Sequence, residues 1–379
     1  MDLEVLRKRI NELDEQIVER FVERMKVAAD IAGAKAEKNL PVLDLKRENA
    51  VLERVMEQAG EVFEAHTKML YHTMFDVSKG YQSGLLAKET ALSKEIQLCT
   101  AEPRFEFPRK ATVACQGVEG SYAAKACGKL FGHPSTMFFN SFESVFNAVE
   151  RGLCQYGILP VENSSVGSVN EVYDLMVKHR FYIVKSTKLH INHVLLAKQG
   201  ADISQITEII SHEQALQQCS EFLKSLPGVK ITIFENTATA AKFVAESDRT
   251  DIAAISSLDC AKLYGLEVKR EDVQNNQNNY TRFICIAKQM EIYAGANRIS
   301  LMLSLEHRPG SLYEMLGKIA CHGLNLSKLE SRPIPGKDFE FRFYFDIDGS
   351  VFSENVVLLL KEMEIAAEKM AFLGCYAEE

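Results

Sequence analysis

Apolar residues recur along residues 3–38 at the spacing of a helix. Projected at 100° per residue, Leu3, Leu6, Ile10, Leu13, Ile17, Phe21, Ala28 and Ile31 share one face. The pattern predicts a single helix about 55 Å long at 1.5 Å per residue. A helix of that length in a small segment needs an equally long packing partner, so a second copy of the chain is expected. Pro41 is expected to break it. A second helix follows over "LDLKRENAVLERVMEQ", with Leu45, Leu52, Val55 and Met56 on its apolar face, and a third begins at about Glu61.

Beyond residue 98 the period changes. "CTAEPRFEFPRK", residues 99–110, carries two prolines and no clear period, and reads as a linker. Short apolar runs then alternate with amphipathic helical patterns. "ATVAC", "TMFFN", "YGILPV", "FYIVKS", "HVLLAK", "ITEIIS", "VKITIF", "IAAIS" and "RFICIA" read as strands. Residues 110–289 are therefore expected to form an α/β domain of mostly parallel sheets, in two lobes with a cleft between them. Residues 297–379 run strand, helix, two strands, helix, strand, the order of a ferredoxin-like βαββαβ unit. The chain thus divides into an all-α segment, 1–98, and these two.

Composition narrows the partners. With 44 Lys and Arg against 52 Asp and Glu, the net charge is −8, which argues against nucleic acid. No apolar run is long enough to cross a bilayer, and "MDLEVLRKRI" is no signal peptide. The 9 cysteines are scattered without metal-ligand spacing, which points to reduced thiols in a cytoplasmic protein that calls for no metal and no cofactor.

Some polar side chains lie where the pattern wants apolar ones. Arg24 and Lys35 fall inside the stripe of the first helix, and Arg7 lies at its edge. One such cation is readily a snorkelling side chain or half of an ion pair; two in one stripe are harder to dismiss. Asp44 and Glu48 sit on the apolar face of the second helix, and Ser78 and Gln82 at the edge of the third. Cations, carboxylates and neutral donors facing one all-α interior would suit an organic dianion that also carries a hydroxyl group. The motifs "LRKRI", "VERMKVAADIAGAKAEKNLPVLDLKRE" and "SKGYQ" resemble the AroQ-type helical chorismate mutases over this whole segment. The resemblance implies rearrangement of chorismate to prephenate in an intertwined homodimer. Arg7, reaching in from the partner chain, and Arg24 would hold the substrate carboxylates. Lys35 and Gln82 would bond the ether oxygen of the breaking bond, and Glu48 with Asp44 the ring hydroxyl; Arg47 and Ser78 would line the site. A Claisen rearrangement needs folded arms and donors aimed at developing charge, and no nucleophile.

In the second segment, polar loops open helices at "QGVEGSYAAKA", "PVENSSVGSVNEVYDLM", "SHEQALQQC" and "ENTATAAKFVAE". Each alone is consistent with ordinary N-capping. Together they put polar groups at the C-terminal ends of several strands, where open α/β sheets bind ligands. The run "NNQNNYTRF" adds a loop of amides that delivers Thr281 and Arg282 to the mouth of a strand. These motifs resemble prephenate dehydratase, and with the preceding segment they resemble the bifunctional P-protein family of phenylalanine synthesis. The resemblance implies conversion of prephenate to phenylpyruvate, with Thr281 assisting departure of the ring hydroxyl. Arg282 would anchor a carboxylate or fix the loop, and Ser121, Asn163, Ser164 and Gln214 would contact substrate. Many relatives carry Ser or Thr where this chain has Ala123, so that donor is absent or supplied elsewhere.

"HRPGSLYEMLGKIACHGLNLSKLESRP" resembles an ACT regulatory domain. It implies L-phenylalanine bound where two such domains meet, against Gly310, Ser311 and Leu312 on one wall and Glu330 and Ser331 on the other. Two rivals are weaker. A solute-binding protein gives Thr281 and the buried cations no role, and a dehydrogenase needs a GxGxxG loop that "QGVEGSY" does not supply.

Overall fold

Thirty-five residues without glycine before Gly33, and with no internal proline, form α1 (Leu3–Glu37), capped at its start by the Asp2 carboxylate. The computed structural model describes residues 2–38, 40, 44–86, 89–102, 104–334 and 340–379, without the side chains of Leu45, Ser83 and Leu86. The expected break at Pro41 and the expected packing of Leu45 lie outside them. α2 (Leu45–Leu86) is interrupted at Gly60, whose φ of 70° and ψ of 166° are not helical, so the second and third predicted helices meet there. α3 (Ala91–Ala101) follows.

The stripe on α1 is only partly covered. Ala28 and Ala32 are buried, whereas Leu6, Ile10, Leu13 and Ile17 remain exposed in the single chain, Ile10 at 57% and Ile17 at 64%. These α-helices and residues 301–371 form one compact unit, and residues 101–300 with 372–379 form a second.

The second unit contains two sheets. The first lobe holds β1 (Thr112–Gln116), α4 (Tyr122–Leu130), β2 (Ser135–Phe139), α5 (Phe142–Glu150), β3 (Tyr156–Asn163), β4 (Gly167–Ser168), α6 (Asn170–His179) and β5 (Tyr182–His190). The second holds β6 (Val194–Ala197), β7 (Glu208–His212), α7 (Glu213–Gln218), α8 (Ser220–Lys224), β8 (Lys230–Phe234), α9 (Thr237–Glu246), β9 (Ile252–Ser256), α10 (Leu258–Tyr264) and β10 (Glu267–Arg270). The chain then returns to the first lobe as β11 (Tyr280–Ala287). The strand orders are β2-β1-β3-β11-β5, with β4 beside β3, and β10-β6-β9-β7-β8.

The sheets are mixed, which corrects the expectation of mostly parallel ones. β1 runs parallel to β2 and β3, and β7 to β8 and β9. β11 is antiparallel to both β3 and β5, and β6 to both β9 and β10. The reason is topological. The chain crosses between lobes twice, at residues 191–193 and 271–279, and each crossing strand enters its sheet against the local direction.

Core packing fixes each lobe. Val113, Ile158, Phe131, Val184 and Cys285 bury one face of the first sheet, and Leu195, Ile209, Ala253 and Leu216 one face of the second. Each fully buried aliphatic or aromatic side chain contributes about 1.5–3 kcal/mol. The supposed linker is also part of this core: Phe107 packs on Phe131, Tyr156 and Tyr293, with ring centroids 4.8–5.8 Å apart. The nine cysteines are all free thiols.

The chain closes with β12 (Arg298–Ser304), α11 (Ser311–Cys321), β13 (Asn325–Pro333), β14 (Phe341–Asp348), α12 (Glu354–Ala366) and β15 (Lys369–Tyr376), its sheet ordered β13-β14-β12-β15. α11 and α12 pack on α2, where a Cβ on Gly80 would stand 3.1 Å from Glu362 Oε2 and one on Gly84 3.0 Å from Leu358 Cδ1. The two glycines let the helices approach closely. A cavity of about 410 Å³ lies beside them, lined by Val77, Tyr81, Tyr313, Lys318 and Glu362 among others. None of the sequence-predicted site residues lines it.

Candidate functional site

Two groups of predicted residues gather in separate places. In the helical unit, Arg24 turns from α1 toward α2. Its Nη1 donates to Ser78 Oγ at 2.5 Å and lies 3.5 Å from Met74 O, and its guanidinium stands 5.7 Å from the Phe75 ring centre. Ser78 and Gln82, one turn apart on α2, are both buried. Gln82 Oε1 has no hydrogen-bond partner among the described residues, which leaves a buried polar atom available to a ligand. Glu48 is half-buried and lies 3.5 Å from Lys79, which also pairs with Asp76 at 3.1 Å. Lys79 was not singled out from the sequence; its position one residue past Ser78 was the available signal.

The remaining helical candidates are placed differently. Lys35 is half-buried near the end of α1. Asp44 and Arg47 are exposed, and the Asp44 carboxylate caps α2 by accepting from the Arg47 backbone N–H at 3.0 Å. Arg7 is exposed seventeen residues before Arg24, about 25 Å away along a straight helix. Within one chain Arg7 and Arg24 therefore do not share a site.

The second group lies where the two lobes meet. Asn163 ends β3 and Thr281 is the second residue of β11, and the two face each other across the antiparallel register. Asn163 Oδ1 accepts from the backbone N–H groups of Ser165 at 3.0 Å and Val166 at 3.1 Å. Its Nδ2 is thereby turned the other way and donates to Thr281 Oγ1 at 2.9 Å and Asn279 Oδ1 at 2.8 Å. Asn279 Nδ2 donates to Gln218 Oε1 at 3.1 Å, and His193 Nε2 stands 3.1 Å from that same oxygen. Asn163, His193, Asn279 and Thr281 are all buried.

The amide-rich loop has a physical reason. Residues 271–279 form the second crossing and lie outside any sheet ladder, so their backbone groups need other partners. Asn275 Oδ1 accepts from Glu221 N, and Asn276 Oδ1 accepts from Asn278 N. His190 Nε2 donates to Gln277 O at 2.7 Å, and Ser164 Oγ donates to Asn278 O while accepting from Tyr280 N. Ser164 thus pins the loop that carries Thr281.

The other candidates have defined positions. Arg282 is buried at 5% exposure beside Glu162, with Nε 3.6 Å from the carboxylate. Ser121 is buried and caps α4, accepting from Ala124 N at 3.3 Å. Gln214 is half-buried in the first turn of α7, which His212 caps; Gln218, one turn on, is the glutamine tied to Thr281 through the amides. Gln218 and His193 were not among the predicted site residues, whereas Asn279 belongs to the amide loop expected to orient Thr281. "SHEQALQQC" offered Gln218 by its position one turn after Gln214, whereas "INHVLL" gave His193 no distinguishing mark. Ala123 is buried in the first-lobe core.

Burial lowers the His193 imidazole below its ordinary pKa of 6.5, and raises the Tyr122 phenol, whose hydroxyl donates to Asn192 O at 2.7 Å. Near the C-terminal sheet, Gly310 caps α11 at a φ of 89°, Ser311 Oγ bonds Glu306 O and Arg308 O, and Leu312 is half-buried. Glu330 on the edge strand β13 pairs with Lys328 at 3.3 Å, and Ser331 is exposed. No group of metal-binding side chains and no membrane-crossing helix occurs among the described residues.

A prephenate dehydratase family model matches residues 113–291, and a chorismate mutase type II model residues 6–83. The bifunctional chorismate mutase/prephenate dehydratase of Escherichia coli (strain K12) is 32% identical over 380 residues, spanning 99% of this chain and 96% of its own. Arogenate dehydratase/prephenate dehydratase 2 of Arabidopsis thaliana is 37% identical over 276 residues, 70% of this chain and 72% of its own. Among solved structures, prephenate dehydratase from Arthrobacter aurescens in complex with L-Phe is 28% identical, with a TM-score of 0.64, over 70% of this chain and 89% of that one.

Proposed function

The chain belongs to the bifunctional chorismate mutase/prephenate dehydratase family, and from that premise we propose which residues carry each reaction. The protein rearranges chorismate to prephenate and converts prephenate to phenylpyruvate, on the way to phenylalanine. Residues 1–98 form the mutase domain, 110–289 the dehydratase domain and 297–379 an ACT domain in a cytoplasmic enzyme.

In the mutase, Arg24, oriented by Ser78, binds one substrate carboxylate, and Arg7 of a second chain binds the other. Lys35 and Gln82 donate to the ether oxygen, and Glu48 accepts from the ring hydroxyl, with Asp44 and Arg47 at the rim. The homodimer is supported by the exposed stripe Leu6, Ile10, Leu13 and Ile17. Burying each against a second copy contributes about 1.5–3 kcal/mol.

In the dehydratase, one observation carries the assignment. Asn163 points a donor at Thr281 Oγ1, so the threonine oxygen accepts there and its own O–H is left to donate. Directed at the ring hydroxyl of prephenate, it assists C–O cleavage. The departing hydroxyl takes a proton and leaves as water, the carboxylate leaves as CO2, and the bonding pair it releases completes the aromatic ring. Aromatisation supplies the driving force, so a weak acid suffices. Ser121, Ser164 and Gln214 line the approach, and Arg282 with Glu162 braces the strand that holds Thr281. Thr281→Ser is expected to keep most dehydratase turnover and Thr281→Ala to lose it; equal losses would remove the hydroxyl from the mechanism.

L-phenylalanine acts as feedback inhibitor at the ACT domain, held by Gly310–Leu312 of one copy and Glu330 and Ser331 of another. The L-Phe bound to the Arthrobacter aurescens relative and the β13-β14-β12-β15 order support this. Truncation is a poor test, because Glu378 and Glu379 pair with Lys188 and Lys185 in the dehydratase unit. Calorimetric titration of L-phenylalanine into Glu330→Ala and Ser331→Ala is expected to show weakened binding with turnover retained; unchanged affinity in both places the sensor elsewhere.

A further inference from the structure

We infer that His193 is a positioning residue of the dehydratase, which acts through Gln218, Asn279 and Asn163 to hold the Thr281 hydroxyl as a donor. This deepens the proposed role of Thr281 and rests on it.

The polarity of the whole chain of side chains follows from its anchored end. Two backbone N–H groups, of Ser165 and Val166, occupy Asn163 Oδ1. A backbone N–H cannot reverse its role, so the Asn163 amide has one orientation and its Nδ2 faces Asn279 and Thr281. Asn279 must present its oxygen to that donor, which turns its own Nδ2 to Gln218. Gln218 must then present Oε1, so the His193 nitrogen that meets it 3.1 Å away must be Nε2–H. The network selects one imidazole tautomer, and that tautomer in turn selects the network.

The other faces of the two terminal side chains agree with this assignment. His193 Nδ1 is buried with no hydrogen-bond partner among the described residues. A bare lone pair is tolerable there, whereas an N–H would be an unsatisfied buried donor, at about 1–3 kcal/mol. The other tautomer and the imidazolium are both disfavoured on that ground. Gln218 Nε2 is likewise buried without a partner, the donor that the network leaves over for a ligand. The His193 backbone is fixed as well: its N–H donates to Gln274 Oε1 at 2.5 Å and its carbonyl accepts from Val273 N at 3.2 Å. These contacts tie the first crossing between the lobes to the second, and the ring itself is held at Nε2 by Gln218.

If His193 Nε2–H is lost, Gln218 is free to turn over, Asn279 can follow, and Asn163 no longer has a fixed partner opposite Thr281. The substitutions that test this differ in where they place a donor. His193→Gln returns an N–H near the ε position; His193→Asn places its amide near the δ position; His193→Phe keeps the ring and removes the donor. The full-length protein is assayed for both activities. We expect dehydratase kcat to fall about 10- to 100-fold in His193→Phe and His193→Asn, the scale of a small misplacement of a reacting group. KM should change little, His193→Gln should lose less than half of that effect on a logarithmic scale, and mutase turnover should be unchanged. In the Thr281→Ala background, His193→Phe should add no further loss to the residual rate. Equal losses in all three variants, or a loss that adds fully to that of Thr281→Ala, would overturn the inference and leave His193 a packing residue. If Thr281→Ala itself keeps full turnover, the assignment of Thr281 fails instead, and the His193 series then reads only on Gln218.

Discussion

The helical and α/β regions solve the same problem, a small dianionic substrate, with opposite geometries. In the α/β region the groups meet within one chain: Asn163 and Thr281 are cross-strand neighbours, Gln218 closes in from the other lobe, and His193 from the crossing between the lobes. In the helical region the candidates are strung along rods. Arg24 and Ser78 meet, but Arg7 stands about 25 Å further along α1. A sheet brings distant sequence positions to one edge by its topology. A long helix separates its own residues by 1.5 Å each and gathers distant ones only against another helix. On the proposed assignments the dehydratase site is a property of the fold, and the mutase site a property of an assembly.

The largest expected effect tests the self-contained half. Thr281→Ala should lower dehydratase kcat by about 10²–10⁴, the range of general acid assistance, and leave the mutase untouched. Steady-state assays of both activities on one preparation check this, and a parallel fall in the mutase would deny that the two regions work separately.

Lys35→Ala should reduce mutase kcat by about 10²–10³, as for loss of a donor to developing charge, with the dehydratase unaffected. A change confined to KM would mean that Lys35 binds ground state and transition state alike.

The comparison is sharpened by Ile17→Asp, which puts a charge on the exposed stripe ten residues from Arg7 and seven from Arg24. Self-association should weaken, and mutase turnover should become dependent on protein concentration, lower by about tenfold when dilute, as expected when folded sites form only on association. Sedimentation and assays across a dilution series report this. Full mutase activity in a monomer would show that one chain completes the site.

The smallest effect concerns pH. His193 has a folded pKa below its ordinary 6.5, so the unfolded chain binds the extra proton first. Its contribution to stability is complete above pH 6.5 and is lost as pH falls through that value toward the folded pKa. Denaturant melts of the wild type and His193→Gln should converge as pH is lowered from 7.5 to 5.5. Parallel curves would show that the imidazole does not titrate on unfolding.

Much of the candidate site was legible because its residue types stand out in the sequence. The "NNQNNYTRF" run marked a loop that satisfies its own backbone, and Thr281 was the hydroxyl at its end. Arg24, Ser78 and Gln82 stood out as polar positions on apolar faces. Gln218 was passed over for Gln214 because sequence spacing places both on one helical face and does not say which reaches Asn279. His193 carried no signal at all, since a histidine before an apolar run is ordinary.

The sequence alone determined the long helices, the nine strands it named and the order of segments, because these follow from local periodicity, caps and breakers that each residue carries with it. It did not determine strand direction. The mixed sheets arise from two crossings whose partners lie up to 131 residues apart in the chain, as Ala287 and Tyr156 show, and no local pattern encodes which edge a returning strand will enter. Likewise "CTAEPRFEFPRK" looked like a linker because prolines interrupt its period, while Phe107 became core only once Phe131, Tyr156 and Tyr293 surrounded it. Hydrogen-bond polarity belongs to the same class. The Asn163 amide donates to Thr281 Oγ1 because two backbone N–H groups, of Ser165 and Val166, occupy its oxygen, and that relation, on which the proposed donor role of Thr281 rests, exists only in three dimensions.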